Sequence, residues 1–277
     1  MIGGGGFGAL LAKCLTSFAL LLVISFFGVP VVWVVGQAFS SGPVGAVPWP
    51  DDPTLVHFRQ LFDQEAIRIA LRNSLVVSAT SMVLATGLAS LAGFGLSRSR
   101  FRRKSELVYG VLLLYAMPMT VTMVAIFELS IRLGLTNSLS GLVLAEVALA
   151  LPFLTWLMKG FYDSVPRDLD EATLIDGRSP LRAWWDVLTP AALPGVAVTA
   201  GLAFVISWSD VFLPIVLISD PSLTTLARYF FQSAESTSAF QSIAALGVLF
   251  LTPVLLVLLL LRRLMLRQVV GREGKPL

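Results

Sequence analysis

Apolar residues along this chain come in long unbroken stretches, not in the short alternating or three-to-four-residue rhythms of a soluble domain. A helix of roughly 20 apolar residues crosses the hydrocarbon core of a bilayer with every backbone group satisfied internally. Six stretches reach that length: Leu15 to Phe39, Asn73 to Ser97, Leu107 to Phe127, Gly141 to Gly160, Val196 to Ile218 and Ser242 to Leu261. The pattern predicts an all-α polytopic membrane protein of about six transmembrane helices. Residues 1–14 and 264–277 are expected to be tails flanking a transmembrane domain over residues 15–263. Lys13 ahead of the first stretch imitates a signal peptide, but the run is too long and lacks a small-residue cleavage site.

Lys and Arg positions orient the spans, because positive loops are retained in the cytoplasm. Of the 20 basic residues, Arg59, Arg68, Arg72, Arg132 and Arg228 fall on one side and all others on the opposite side. That bias places both termini in the cytoplasm. Two cytoplasmic segments result, a basic turn at Arg98 to Ser105 and a long stretch from Phe161 to Gly195. Arg98 to Lys104 is read as a topology anchor contacting lipid headgroups. Ala85, Ala89 and Gly93 recur every four residues, as in helices that approach closely in lipid. Pro118, Pro152 and Pro214 each remove an amide donor, so kinks or breaks are expected there.

Composition supports the membrane reading and removes other chemistry. Hydrophobic residues are 56% and charged residues 13% of 277, with mean hydropathy +0.83. One cysteine, Cys14, and one histidine, His57, give neither a disulfide nor a Cys/His metal site. The net charge of +3 lacks a soluble domain to carry a nucleic-acid patch. Gly3 to Gly6 has neither the following Lys-Ser/Thr pair nor the preceding strand of a phosphate loop, and is read as a flexible tail; this chain is not expected to bind ATP.

The segment Val165 to Pro194 reads VPRDLDEATLIDGRSPLRAWWDVLTPAALP. Asp168 and Asp170 suit a helix start, where carboxylates meet unpaired amides. A short helix should run to Ile175, turn at Gly177 through a left-handed conformation, and restart with Ser179 as N-cap and Pro180 in its first turn. Leu181, Trp184, Trp185 and Leu188 give the second helix an apolar face that implies a docking partner.

This segment resembles the EAA motif of binding-protein-dependent ABC importer permeases: Glu171, Ala172 and Thr173, three residues, Gly177, nine residues, then Val187, Leu188, Thr189 and Pro190. Thr173, Val187 and Thr189 depart from the usual Ala, Ile and Leu, while the spacing is intact. MPMTVTMVAIF at Met117 to Phe127, LGLTNSLSGLVL at Leu133 to Leu144, LPF at Leu151 to Phe153, IDG at Ile175 to Gly177 and SWSDVFLPIVL at Ser207 to Leu217 are similar to the maltose-type carbohydrate-uptake group. The likeness covers Asn73 to Arg263.

The resemblance implies a type I ABC importer permease fold in a bacterial inner membrane. It implies a second permease subunit, read as a different chain, and two cytoplasmic ATP-binding subunits that hold ATP and Mg. An extracytoplasmic binding protein would deliver solute. In such a complex Glu171, Ala172, Asp176, Gly177, Leu181, Trp184, Trp185 and Pro190 would meet an ATPase subunit, with Glu171 paired to a basic residue.

Asp210 lies about 20 Å along its helix at ~1.5 Å per residue. Such a carboxylate faces either a solute cavity, with Trp208 stacking on a sugar, or the outer interface. Glu146 faces solute, outer water or another helix. A lone secondary transporter would show a coupling-ion site and an internal repeat, and neither is evident. The solute stays open between a carbohydrate and another small molecule such as a polyamine or phosphonate.

Overall fold

The computed structural model describes residues 4–42, 44, 52–175, 177–236 and 240–273, and about 83% of the chain is helical. Two units are distinguished: residues up to Gln64 with Gln232–Leu251, and Glu65–Phe231 with Thr252–Leu277.

In the first unit, α1 (Gly4–Ala38) runs unbroken through Pro30. The glycine-rich start read as a flexible tail is helical from Gly4, as extending an existing helix needs no new nucleus; Gly3 lies outside the described residues. Side chains from Leu15 to Val32 are almost all exposed, Phe26 and Phe27 by 69% and 67%. A helix apolar all round needs lipid or a protein partner around it. Thr54 N–H donates to Phe39 O at 2.7 Å and Gln241 Nε2 to Gly42 O at 2.9 Å, closing the loop after α1. The short α2 (Val56–Asp63) carries Phe58, whose ring lies 4.9 Å from that of Phe39.

The second unit is built around two long helices, α3 (Glu65–Arg98) and α6 (Leu139–Asp163). On α6 the buried residues Leu142, Glu146, Ala150, Leu154, Met158 and Tyr162 recur every fourth position, one face of the helix. The buried stripe of α3 is small and polar: Ser74, Ser78, Ser81, Ala85, Ala89, Gly93 and Ser97. The crossing is tightest at Gly93, where an added Cβ would stand 2.8 Å from both Lys159 N and Met158 Cβ. The four-residue repeat of small side chains is thus a helix contact. Hydrophobic transfer does little within lipid, so close backbone approach and hydroxyl bonds hold the pair.

α10 (Leu193–Trp208) packs beside them, with Gly195 against the Phe161 ring and Gly201 against Leu261 of α13 (Phe240–Glu273). Cβ atoms there would lie 2.3 Å and 2.2 Å from those side chains.

Among the described residues, four helices are long and apolar enough to cross a membrane: Ala12–Ala38, Glu65–Arg98, Leu139–Asp163 and Phe240–Arg262. Two of the expected six spans are broken. Leu107 to Phe127 divides into α4 (Lys104–Tyr115) and α5 (Met119–Arg132), because Pro118 at the N-cap of α5 has ψ 127° and no N–H to continue the ladder. Val196 to Ile218 ends at Trp208 and resumes as α11 (Phe212–Leu217). Pro152 lies within the continuous α6 and Pro214 inside α11, so of the three prolines only Pro118 marks a break.

The irregular chain after α10 is held by side chains from other elements, which supply the hydrogen bonds its backbone cannot make within a helix. Asn137, in the left-handed region at φ 53°, accepts at Oδ1 from the N–H groups of Ser219 and Asp220 at 3.0 and 2.8 Å. Asn73 Nδ2 donates to Ser222 O and Thr224 O, and Ser74 Oγ accepts from the N–H of Leu226, which opens α12 (Leu226–Ser236). Arg228 reaches back to Pro214 O and Ile218 O.

Candidate functional site

Two regions carry the candidate residues, an elbow at the Arg98 end of α3 and a cavity farther along the second unit. The elbow begins with α7 (Asp168–Ile175), whose first turn holds Asp168, Asp170 and Glu171. Gly177 then takes φ 78°, which an L residue adopts at a cost and glycine freely. Ser179 caps α8 (Pro180–Ala183), accepting from Arg182 N–H at 3.4 Å, with Pro180 in the first turn. Helix, glycine turn and helix therefore stand where the local chemistry predicts them. Asp176 lies outside the described residues.

The second arm differs from a plain helix. From Trp184 to Leu188 the turn widens to a π-helix, with Thr189 N–H donating to Trp184 O, before α9 (Thr189–Ala191). Pro190 has no N–H for Asp186 O, and its ring would crowd that carbonyl in an α-helix; the wider turn removes the clash. The elbow then meets α10 at an angle of 86°.

The apolar face expected on this arm is split between two sides. Leu181 and Trp185 are 60% and 65% exposed, Ile175 85%. Glu171, Ala172, Gly177 and Pro190 are exposed as well. Leu188 is fully buried, and Trp184 turns inward. Its indole Nε1 donates toward Tyr162 Oη at 3.0 Å and Ser90 Oγ at 3.2 Å, and those two hydroxyls bond each other at 2.7 Å. Trp184 is therefore an anchor of the arm and not part of its free face. Thr173, at the second alanine position of the motif, is buried and donates to Leu169 O at 2.6 Å, so its hydroxyl is satisfied within α7.

Arg98 was expected among lipid headgroups. Instead its side chain is 12% exposed and lies 3.0 Å from Asp170 Oδ2 in an ion pair, while its guanidinium donates to Tyr162 O and Val165 O. The reason is position: the last turn of α3 ends beside Tyr162 O and Val165 O at the α6 terminus and beside the first turn of α7. Basic composition alone gave no sign of this pairing.

The cavity, about 670 Å³, lies among α4, α5, α6 and the α10–α11 break, with Tyr115, Met119, Glu146, Ala148, Asp210 and Phe212 in its wall. Glu146 is 4% exposed. Its Oε2 accepts from Ser81 Oγ at 3.0 Å and from Ser207 Oγ, linking α6 to α3 and α10, while Oε1 has no protein partner. Asp210 accepts at Oδ1 from the N–H groups of Phe212 and Leu213, at 3.0 and 3.4 Å, and so caps α11. Pro152, also in this wall, has no N–H to donate to Ala148 O. Among the described residues, no Lys or Arg lines the cavity. Trp208 is 1% exposed, stacks on Phe204 at 5.6 Å and is not among the residues lining the cavity.

The sulfoquinovosyl glycerol transport system permease protein SmoH of Agrobacterium fabrum is 31% identical over 212 residues, covering 75% of this chain and 74% of SmoH. The maltodextrin transport system permease protein MdxG of Bacillus subtilis is 32% identical over 221 residues, 79% of each chain. The fold is that of a crystallised bacterial ABC transporter involved in import of the acidic polysaccharide alginate, with TM-score 0.74 at 20% identity, covering 93% of this chain and 95% of that one. Residues 85–271 match the sequence profile of one family, and the chain belongs to it: the inner membrane components of binding-protein-dependent transport systems.

Proposed function

We propose that this chain is one permease subunit of an ATP-driven carbohydrate importer in a bacterial inner membrane, with both termini in the cytoplasm. The elbow at Asp168 to Ala191 is its dock for a cytoplasmic ATP-binding subunit, and its transmembrane helices form half of the solute path. A second, different permease chain supplies the other half, two ATPase subunits hold ATP and Mg, and an extracytoplasmic binding protein delivers solute.

The observation that carries this reading is the elbow's division of faces. Glu171, Leu181 and Trp185 are exposed around a glycine turn, while Trp184, Leu188 and Asp170 tie the same segment to the helix bundle. Such a segment has a free apolar surface to bury against a partner and a firm connection through which to move the bundle. The Lys and Arg bias supports a cytoplasmic position for it.

A carbohydrate cargo is supported by the named relatives and by the cavity. Glu146 and Asp210 offer acceptors, and sugar hydroxyls are donors. The same two carboxylates favour a polyamine as the second reading. The test is uptake into vesicles carrying the full transporter, with neutral oligosaccharides and spermidine as probes. Neutral-sugar uptake that falls to background in Glu171→Ala supports the reading. Full uptake in that variant overturns the docking role, and spermidine as the transported probe overturns the cargo.

A further inference from the structure

Arg98 closes a junction of three helix ends. Its Nη1 and Nη2 donate to Tyr162 O and Val165 O, both at 3.0 Å, one carbonyl in the last turn of α6 and one in the connector that follows it. Its Nε stands 3.0 Å from Asp170 Oδ2 in the first turn of α7, and the two side chains are 12% and 13% exposed. Beside it Ser97 Oγ donates to Asp163 Oδ1 at 2.6 Å, and Lys159 Nζ to Asp163 Oδ2 at 2.5 Å. Only residues 164–167 connect α6 to α7 covalently. Ser164 and Val165 follow the helix with turn bonds to Phe161 O and Tyr162 O, and Pro166 precedes the new one. Unsupported, such a connection would absorb a push on α7 by bending.

Neighbouring positions on a helix point about 100° apart, so Asp170 turns to Arg98 while Glu171 stays exposed. We infer that Arg98 is a positioning residue: it locks α7 to the ends of α3 and α6, so that a displacement applied at Glu171 moves those helices and is not lost in residues 164–167. This rests on the elbow being the ATPase dock, and it adds the route from that dock into the bundle. A planar guanidinium can donate to two carbonyls in a fixed fork while its charge pairs with the nearby carboxylate, whereas an ammonium has no such fixed fork. Lysine should therefore restore the lock only in part. The second arm is fastened independently through Trp184, so loss of Arg98 loosens the first arm while the elbow stays attached.

The test needs two measurements. In a Cys14→Ser background, spin labels are placed at Gly95→Cys, where an added Cβ meets nothing within 4 Å, and at exposed Ala172→Cys on α7; distances are read in lipid nanodiscs. Arg98→Gln and Asp170→Asn should each broaden the distance distribution about twofold, as expected when one member of a shielded pair is removed. Arg98→Lys should give an intermediate width, and Arg103→Gln, which removes only the exposed Arg103–Glu106 pair at 3.8 Å, the original one. In the assembled transporter, Arg98→Gln should retain its ATPase subunits while the ratio of solute-stimulated to basal hydrolysis falls about tenfold, a normal size for lost coupling. Unaltered widths in both Arg98→Gln and Asp170→Asn overturn the lock. Broad distributions with full stimulation overturn its part in transmission. If the wild-type chain fails to retain ATPase subunits, the docking reading itself fails, while the label distances still decide whether the lock exists.

Discussion

Trp184 and Trp185 are consecutive residues with opposite environments: the first donates its indole N–H to Tyr162 Oη at 3.0 Å inside the bundle, and the second is 65% exposed. The widened turn that begins at Trp184 lets one arm serve both sides. Their substitutions should therefore separate stability from assembly. Trp184→Phe leaves the ring volume largely in place but removes the donor, at a cost of about 1 kcal/mol. Trp185→Ala should leave the thermal unfolding midpoint of the purified chain in place and weaken retention of the ATPase subunit. Measuring both variants by both assays checks the assignment; a midpoint that drops only for Trp185→Ala would reverse it.

Gly93 and Gly95 provide a second contrast within α3. A Cβ at Gly93 meets the backbone N of Lys159 at 2.8 Å, and one at Gly95 meets nothing within 4 Å. Gly93→Ala should destabilise the chain by roughly 1–3 kcal/mol through overpacking. Gly95→Ala should stabilise it by up to ~1 kcal/mol through helix propensity. Thermal unfolding in detergent reads both signs.

Gly177 turns the elbow at φ 78°, with open space where a Cβ would stand. The cost of Gly177→Ala is therefore conformational and not steric, on the order of 1 kcal/mol. Hydrogen exchange should rise in residues 168–191 and stay as it was in α6. Uniform loss of protection along the chain would show that the turn matters to the whole fold.

Asp210 can be stripped of charge without losing its cap. Asn keeps an oxygen for the Phe212 and Leu213 N–H groups, so Asp210→Asn should hold the unfolding midpoint, while Asp210→Ala loses about 1 kcal/mol of capping. If the cavity is the solute path, Asp210→Asn changes uptake rate or solute preference. Identical transport in that variant assigns Asp210 to the cap alone.

The features legible in the sequence were those with local causes. The elbow could be read because Gly177, Ser179 and Pro180 act on their own backbone. A close contact along α3 could be read because small residues repeat along one face, while its partner α6 could not. Hydropathy averaged over 20 residues passes over breaks at Pro118 and Ser209, because the apolar residues on either side outweigh the few at which the ladder stops. Pro152 and Pro118 look alike in sequence, and only their place within or before a helix separates their effects. The contacts of Arg98, Trp184 and Glu146 join residues far apart in the chain, and a single sequence carries no record of such pairing.

The docking surface admits one direct measurement. In a Cys14→Ser background, Trp185→Cys and the buried Leu188→Cys are each treated in the assembled transporter with a short crosslinker that alkylates the thiol at one end and, on illumination, inserts into neighbouring C–H bonds at the other. A covalent adduct between this chain and the ATP-binding subunit should form through position 185 and not through 188. Absence of the adduct at 185, combined with labelling of that cysteine from outside sealed cells, would contradict the cytoplasmic motor dock.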